Sequence, residues 1–158
     1  MDNVEEIRSK IALAEELINS GSLKKARDIL APLVESSNAD ALFLYSTFSI
    51  SKDESEEDFE RRSLDMLIKA AELGHAKANY ALAVRYDFGD GVACNKEHAA
   101  QLFKKSAEGG YSKAKLNYSL DLTYGTHGIA QDKFLGVKLL KAAAEEGVEG
   151  ALEELSSL

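Results

Sequence analysis

The sequence predicts an all-α solenoid built from stacked helix pairs, and three observations support this. The segment Ala70–Gly74 returns as Ser106–Gly110 and again as Ala143–Gly147. The spacing is regular, at 36 residues from Ala71 to Ala107 and 37 from there to Ala144. Each period contains two apolar-periodic runs separated by glycines, which is typical of a helix–turn–helix unit. Self-similarity at this period indicates a stacked repeat.

The second copy of the repeat departs from the first at one point. Gly89 corresponds to Gly125 at a distance of 36 residues, whereas Val92 corresponds to Ile129 at 37. One residue has therefore been added in the turn, near positions 126–127.

The segment from Lys69 to Val92 has the pattern K-A-A-E-x-G-H-A-x-A-x-Y-x-L-x-x-x-Y-x-x-G-x-G-V. It resembles the Sel1-like repeat, a relative of the tetratricopeptide repeat. A second match runs from Ser106 to Ile129 with the insertion, and a third starts at Ala143. The resemblance implies a right-handed α–α superhelix forming a single repeat domain over residues 1–158. The implied units are 4–37, 38–74, 75–110 and 111–147, followed by a capping helix at 148–158.

Nine helices are expected, and short polar residues and glycines mark several of their ends. Asn95 and Asp132 are expected to cap helix starts, where free backbone N–H groups need acceptors. Gly74, Gly110 and Gly147 are expected to end helices with a positive φ. Pro32 falls inside the pattern of the second helix, so either that helix kinks there or its last turn is irregular. Additional expectations are a helix from Ala39 to about Ser51 and a ninth helix from about Glu149.

The acidic run Glu56–Glu60 allows two interpretations. It could be an acidic docking tail. Alternatively, Ser55 caps a helix, Asp58 completes the cap three residues later, and the acidic side chains favour the positive end of the helix dipole. The second interpretation is favoured.

Composition limits the classes of function. The formal net charge of −8 argues against nucleic acid as a partner, since phosphate binding needs clustered Lys and Arg. A basic protein partner fits the negative sign of the charge. Alternatively, the acidic composition serves only to keep the protein soluble. The sequence opens without a signal peptide, contains no apolar run long enough for a membrane span, and has one cysteine, Cys94. A cytoplasmic protein is therefore expected.

The residues that carry chemistry are sparse and scattered. His75, His98 and His127 fall in different parts of their units, and Cys94 has no histidine arranged beside it. The Gly89–Gly91 turn joins two helices, whereas phosphate loops follow a strand. We therefore expect no catalytic residues, no metal ligands, no cofactor and no enzymatic activity.

Resemblance to the tetratricopeptide pattern implies that the first helix of each pair lines a concave groove. The implied groove positions include an apolar, partly aromatic stripe, which would mark a partner site. Several of these residues could instead pack against the neighbouring repeat. The expected partner-binding residues are Phe43, Ile50, Lys77, Tyr80, Val84, Asp87, Phe88, Lys113, Leu116, Leu120 and Tyr124. Asp40, Thr47 and Thr123 map to further groove positions, and Ala78, Leu82, Ala83 and Tyr86 to buried ones.

Three hypotheses about function follow. The first is an adaptor that holds another protein or a peptide in the groove. The second is a cytosolic immunity-type protein that sequesters a toxin, which the resemblance to small standalone repeat proteins suggests. The third, an enzyme such as a small-molecule hydrolase, lacks a convergent set of acid, base, nucleophile or metal ligands.

Overall fold

A computed structural model describes residues 4–158, and over this range it contains nine α-helices and no strands. The helices in chain order are α1 (Val4–Asn19), α2 (Leu23–Glu35), α3 (Ala39–Tyr45), α4 (Glu56–Glu72), α5 (Ala76–Phe88), α6 (Lys96–Glu108), α7 (Ser112–Tyr124), α8 (Lys133–Glu145) and α9 (Ala151–Ser157). The predicted all-α helical-repeat class is confirmed. Each of the four predicted units contains one helix pair, and α9 lies in the predicted capping segment.

The chain forms two compact units, one ending at His75 and the other running from Ala76 to Leu158. In the first unit, α1 to α4 pack on one another in sequence order, and α1 to α3 enclose an apolar core. That core consists of Ala14, Ala26, Leu30, Leu33, Ala41, Leu44 and Phe48. That these units act together as a single domain stays a prediction.

In the second unit, α5 packs on α6, α6 on α7, α7 on α8, and α8 on α9. One cluster consists of Ala100, Ala107, Ala114, Tyr118, Leu122 and Ile129, and another of Leu140, Ala143 and Ala151. Small residues at these contacts allow the helices to approach closely. At the closest approach, buried Gly136 of α8 faces α7, and a Cβ there would lie 2.4 Å from Thr123 Oγ1.

The predicted side-chain caps and glycine C-termini are confirmed. The side chains of Ser55, Asn95 and Asp132 each accept a backbone N–H at a helix start, from Asp58, His98 and Leu135 respectively. The acidic run after Ser55 is thus the first turn of α4, with Glu56, Glu57 and Asp58 at its N-terminus. Gly74, Gly110 and Gly147 have φ values of 84°, 91° and 76°. Helix α2 continues through Pro32 to Glu35.

Helix α3 is shorter than predicted. It ends at Tyr45, not near Ser51, so Thr47 and Ile50 do not lie on a helix. The hydroxyls of Ser46 and Thr47 donate to the carbonyls of Phe43 and Leu44, both at 2.6 Å. Such local bonds offer the backbone an alternative to continuing the helix.

Arg62 of α4 holds the segment that follows α3. Its Nη1 donates to Tyr45 O at 2.6 Å and its Nη2 to Phe48 O at 2.8 Å. Its Nε donates to Glu54 Oε1 at 2.7 Å. Glu54 Oε2 in turn accepts from the Ile50 N–H at 2.9 Å. This guanidinium–carboxylate pair takes the place of the glycine turn found in the later repeats.

Candidate partner-binding site

The last residues of α5 and α7 are exposed aromatic side chains. Phe88 is 77% exposed and Tyr124 is 54% exposed. They occupy equivalent positions in successive repeats, 36 residues apart. Each precedes a glycine, and Gly125 has the left-handed φ of 68° that ends α7. Neither side chain belongs to a core cluster, so both are accessible apolar surface.

Four other predicted residues on these helices divide into two groups. Lys77 and Lys113 are exposed. Tyr80 and Leu116 are half-buried and pack against the hydrophobic clusters of the second unit. The Tyr80 ring lies 5.6 Å from that of Phe103 and 5.0 Å from that of Tyr111, between ring centroids. The aromatic stripe is therefore not continuously exposed, and its exposed members are those at the helix ends.

Two further predicted residues, Asp87 and Leu120, line one cavity in the second unit, while Val84 is half-buried on α5. Asp87 Oδ1 accepts from Lys96 Nζ at 2.8 Å. The lining of this cavity combines polar and apolar side chains from α5, α6, α7 and the turn after α7, namely Asp87, Lys96, Ala99, Ala100, Phe103, Asn117, Leu120, Asp121, Thr126 and His127.

A hydrogen-bonded cluster at this cavity was missed by the sequence reasoning. Asp121 Oδ1 accepts from Thr126 Oγ1 at 2.6 Å and lies 2.7 Å from His127 Nδ1. The side chain of Asp121 is 9% exposed, so this carboxylate is largely removed from water. Two sequence signals could have indicated the cluster. They are the added residue in this turn, and an aspartate at the position where the preceding repeat has Arg85.

The predicted residues of the first unit have mainly internal contacts. Phe43 stacks on His75 with ring centroids 4.7 Å apart, and His75 Nε2 lies 3.2 Å from Asp40 Oδ1. Ile50 was expected at a groove position at the end of a helix. It lies instead in the irregular segment after α3, where its carbonyl accepts from Arg27 and its side chain packs on the core.

The burial of two residues differs from what the resemblance implied. Thr123 was mapped to the groove but is only 1% exposed, because the close approach of Gly136 encloses it. Its hydroxyl donates to Ser119 O at 2.7 Å. Tyr86 was mapped to the core but is half-buried, with its ring edge-on to exposed His98 at 4.4 Å. Ala78, Leu82 and Ala83 are buried as predicted.

The described residues contain no group of three or more His, Cys, Asp or Glu side chains placed to hold a metal ion. Cys94 is exposed, and its Sγ donates to Asp87 O at 3.3 Å. Over residues 4–158, each helix is too short or too polar to cross a lipid bilayer.

The repeated helix pairs define the class as an all-α helical-repeat protein. The Sel1 repeat family model matches residues 40–75, 76–111 and 112–148. The chain therefore belongs to the Sel1 repeat family. Proteins of this family generally mediate protein–protein interaction, and the fold is typically a scaffold without enzymatic activity.

Solved structures agree with this assignment. A Sel1 repeat protein from Oxalobacter formigenes is 26% identical with a TM-score of 0.71, over 84% of this chain and 99% of that one. The c5321 protein, a protective antigen of uropathogenic Escherichia coli with an SLR fold, is 29% identical with a TM-score of 0.64. The match covers 78% of this chain but only 26% of that protein. The cysteine-rich protein B of Helicobacter pylori, 22% identical with a TM-score of 0.59 over 85% and 95% of the two chains, shares the fold.

Proposed function

We propose that this protein is an adaptor that binds another protein or a peptide through a surface on the first helices of the repeats in its second unit, α5 and α7. The observation that carries the proposal is the exposure of Phe88 and Tyr124 at equivalent ends of α5 and α7. Large exposed aromatic side chains are costly in water, and aromatic residues are favoured as anchors at protein interfaces. We expect Lys77 and Lys113, which are exposed on the same helices, to contribute polar contacts around them.

The first prediction tests this surface. Replacing Phe88 and Tyr124 together by alanine is expected to leave the melting temperature nearly unchanged, because neither side chain is part of a core. Affinity for the partner is expected to fall by about 2 kcal/mol or more, the usual size of an interface hot spot. The measurement is capture of the partner from lysate of the producing cells by immobilised protein, followed by titration with the purified partner.

The matched control is Leu152→Ala, which removes an apolar side chain that is 67% exposed on α9. Normal capture by the control together with loss in the double variant supports the proposed surface. A double variant that captures the partner as well as the parent protein does would refute it. If the double variant unfolds, both aromatics are core residues and the assignment is equally wrong.

A second candidate is sequestration of a basic toxin by an immunity-type protein. The net charge of −8 favours a basic partner, which fits both this candidate and an adaptor. Growth measurements with co-expressed neighbouring genes separate them, since only an immunity protein rescues growth from a toxin.

A further inference from the structure

The cavity beside α6 and α7 combines a buried carboxylate with apolar walls. Its volume is about 180 Å³, well above the roughly 10–15 Å³ that a single water needs. It is open on one side, because His127 at its rim has 43% of its side chain exposed. Apolar side chains of α6 and α7, including Phe103 and Leu120, line part of it. The cavity therefore has room for one side chain of a bound molecule.

The hydrogen bonds within the cavity leave it rich in acceptors. A carboxylate only accepts, so the Nδ1 of His127 must donate to Asp121, and a neutral imidazole then presents Nε2 as an acceptor. Both bonds to Asp121 fall on Oδ1.

Carboxylates outnumber permanent cations around the cavity. Asp87 and Asp121 supply two carboxylates, and Lys96 supplies one ammonium group, which is already bonded to Asp87. Asp121 is a largely buried carboxylate whose partners are the hydroxyl of Thr126 and the imidazole of His127. Buried charges are normally paired, since an uncompensated charge is costly to remove from water. A cation from outside would add a favourable charge partner for Asp121.

The turn that builds the cluster departs from the repeat. His127 has a φ of 50°, a left-handed conformation that glycine adopts more easily than any other residue. Strained backbone of this kind persists where the surroundings enforce it and is concentrated at functional sites. The turn also contains the residue that the preceding repeat lacks. The extra residue and the strained histidine are therefore both used to bring the imidazole to Asp121.

We propose that this cavity binds the guanidinium group of an arginine side chain on the protein partner. The proposal rests on the proposed function and names the chemistry that would anchor the partner. A planar guanidinium carries five donors and bonds carboxylates in a bidentate manner, which suits Asp121 and the Nε2 of His127. Its methylene stem would contact the apolar wall formed by residues such as Leu120. Asp87 is close enough to the cavity to add a second carboxylate.

An anionic ligand fits the cavity less well. Lys96 is its only permanent cation among the lining residues, and its Nζ already bonds Asp87. An incoming carboxylate would also approach the negative charge of Asp121. Acidic side chains therefore serve as the opposing probe in the test.

The second prediction tests the cavity with four blocked tripeptides of the form acetyl-Gly-X-Gly-amide, in which X is arginine, lysine, citrulline or glutamate. Each is titrated into the ¹⁵N-labelled full chain and followed by amide chemical shifts. The arginine peptide is expected to shift the amides of Asn117, Asp121 and His127 saturably. Citrulline matches arginine in shape without its charge, and is expected to bind about tenfold or more weakly, in line with the strength of charge-assisted hydrogen bonds. The lysine peptide is expected to bind between the two.

Variants locate the binding. Asp121→Asn removes the charge and is expected to weaken arginine binding about tenfold. His127→Gly suits the positive φ, which offsets part of the cost of losing the hydrogen bond to Asp121, so it should remain folded. It also loses the Nε2 acceptor and is expected to weaken binding severalfold. The control Asp65→Asn removes an exposed carboxylate from α4 and is expected to change nothing. If Asp121→Asn is unstable, His127→Gly still provides the test.

The proposal is overturned if the glutamate peptide shifts the same amides with equal or higher affinity, or if both cavity variants bind the arginine peptide as the parent does. A titration with free L-arginine distinguishes a site for a small metabolite from a site for an arginine side chain of a protein. If free L-arginine binds about tenfold more tightly than the blocked peptide, the proposed protein anchor is contradicted. If arginine does not bind but the Phe88 and Tyr124 double variant still loses the partner, the proposed function holds and only the cavity assignment fails. If the arginine peptide binds and the Phe88 and Tyr124 double variant captures the partner normally, the cavity assignment holds and the proposed aromatic surface fails.

Discussion

At the scale of single residues, Gly136 has the tightest steric constraint of the described glycines. A Cβ at this position would lie 2.4 Å from Thr123 Oγ1 and 2.9 Å from the carbonyl oxygen of Ser119. The neighbouring atom of Ser119 is backbone, so it cannot rotate away. The side chain missing at Gly136 is therefore what allows α7 and α8 to approach so closely.

The third prediction follows from this constraint. Gly136→Ala is expected to lower the free energy of unfolding by about 1–3 kcal/mol, the usual cost of overpacking. Alanine forms helix more readily than glycine by about 1 kcal/mol, which opposes the steric cost. The sign of the change in the free energy of unfolding therefore shows which of the two effects is larger. The measurement is chemical denaturation, with the exposed Lys138→Ala on the same helix as control. A stabilised Gly136→Ala variant would contradict the described packing of α7 on α8.

At the scale of elements, Glu54 and Arg62 connect α4 to the irregular segment that follows α3. The pKa of Glu54 is lowered to about 2, chiefly by its hydrogen bond with the Arg62 guanidinium. Bonds from Ser49 and Ile50 act in the same direction, while burial opposes them. The ionised form of Glu54 is therefore bound more favourably in the folded protein than in the unfolded chain.

The fourth prediction concerns acid stability. Because the pKa of Glu54 in the folded protein lies below its ordinary value of 4.5, the associated stabilisation is complete above about pH 5 and is lost as pH falls toward 2. Glu54→Gln is expected to be less stable than the parent at pH 7. The difference between the two proteins should shrink through this window, as measured by denaturant titrations at each pH. Asp65→Asn, which removes an exposed carboxylate, is the control. A difference that does not depend on pH would contradict the role given to Glu54.

The elements that could be predicted from the sequence are those fixed by local chemistry. The caps at Ser55, Asn95 and Asp132 depend on residues within a single turn, so their pattern is visible in the sequence. The end of α3 depends in part on Arg62, which contacts Tyr45 across 17 residues. The burial of Thr123 likewise depends on Gly136 in the next helix. Contacts of this kind arise from packing between helices and leave no periodic signal.

Part of the candidate site could also be predicted from the sequence. Phe88 and Tyr124 stand out because the repeat pattern does not require aromatic residues there. The cluster of Asp121 and His127 was not predicted, because an aspartate at a helix position and a histidine in a turn each have ordinary explanations when considered alone. The inserted residue was noticed in the sequence, but its consequence depends on the fold of the turn.

At the scale of the whole molecule, the net charge of −8 is expected to affect the rate at which the protein associates with a basic partner. The fifth prediction is that added salt weakens binding to a basic partner mainly by slowing association, with a smaller change in dissociation. Surface plasmon resonance at several salt concentrations measures both rates. The Phe88 and Tyr124 double variant should instead dissociate faster at every salt concentration. Association rates that are unaffected by salt would show that the acidic charge has no role in partner binding.

The contacts of Arg62 also bear on how the first unit folds. The carbonyls of Tyr45 and Phe48 receive their donors from α4, and the amide of Ile50 is held by the carboxylate that Arg62 positions. The segment between α3 and α4 therefore cannot keep its conformation once α4 has melted. Local unfolding events in proteins involve contiguous cooperative units. We therefore expect helix α4 and the segment before it to form one such unit, with amides that exchange their hydrogens together, because a single guanidinium joins them.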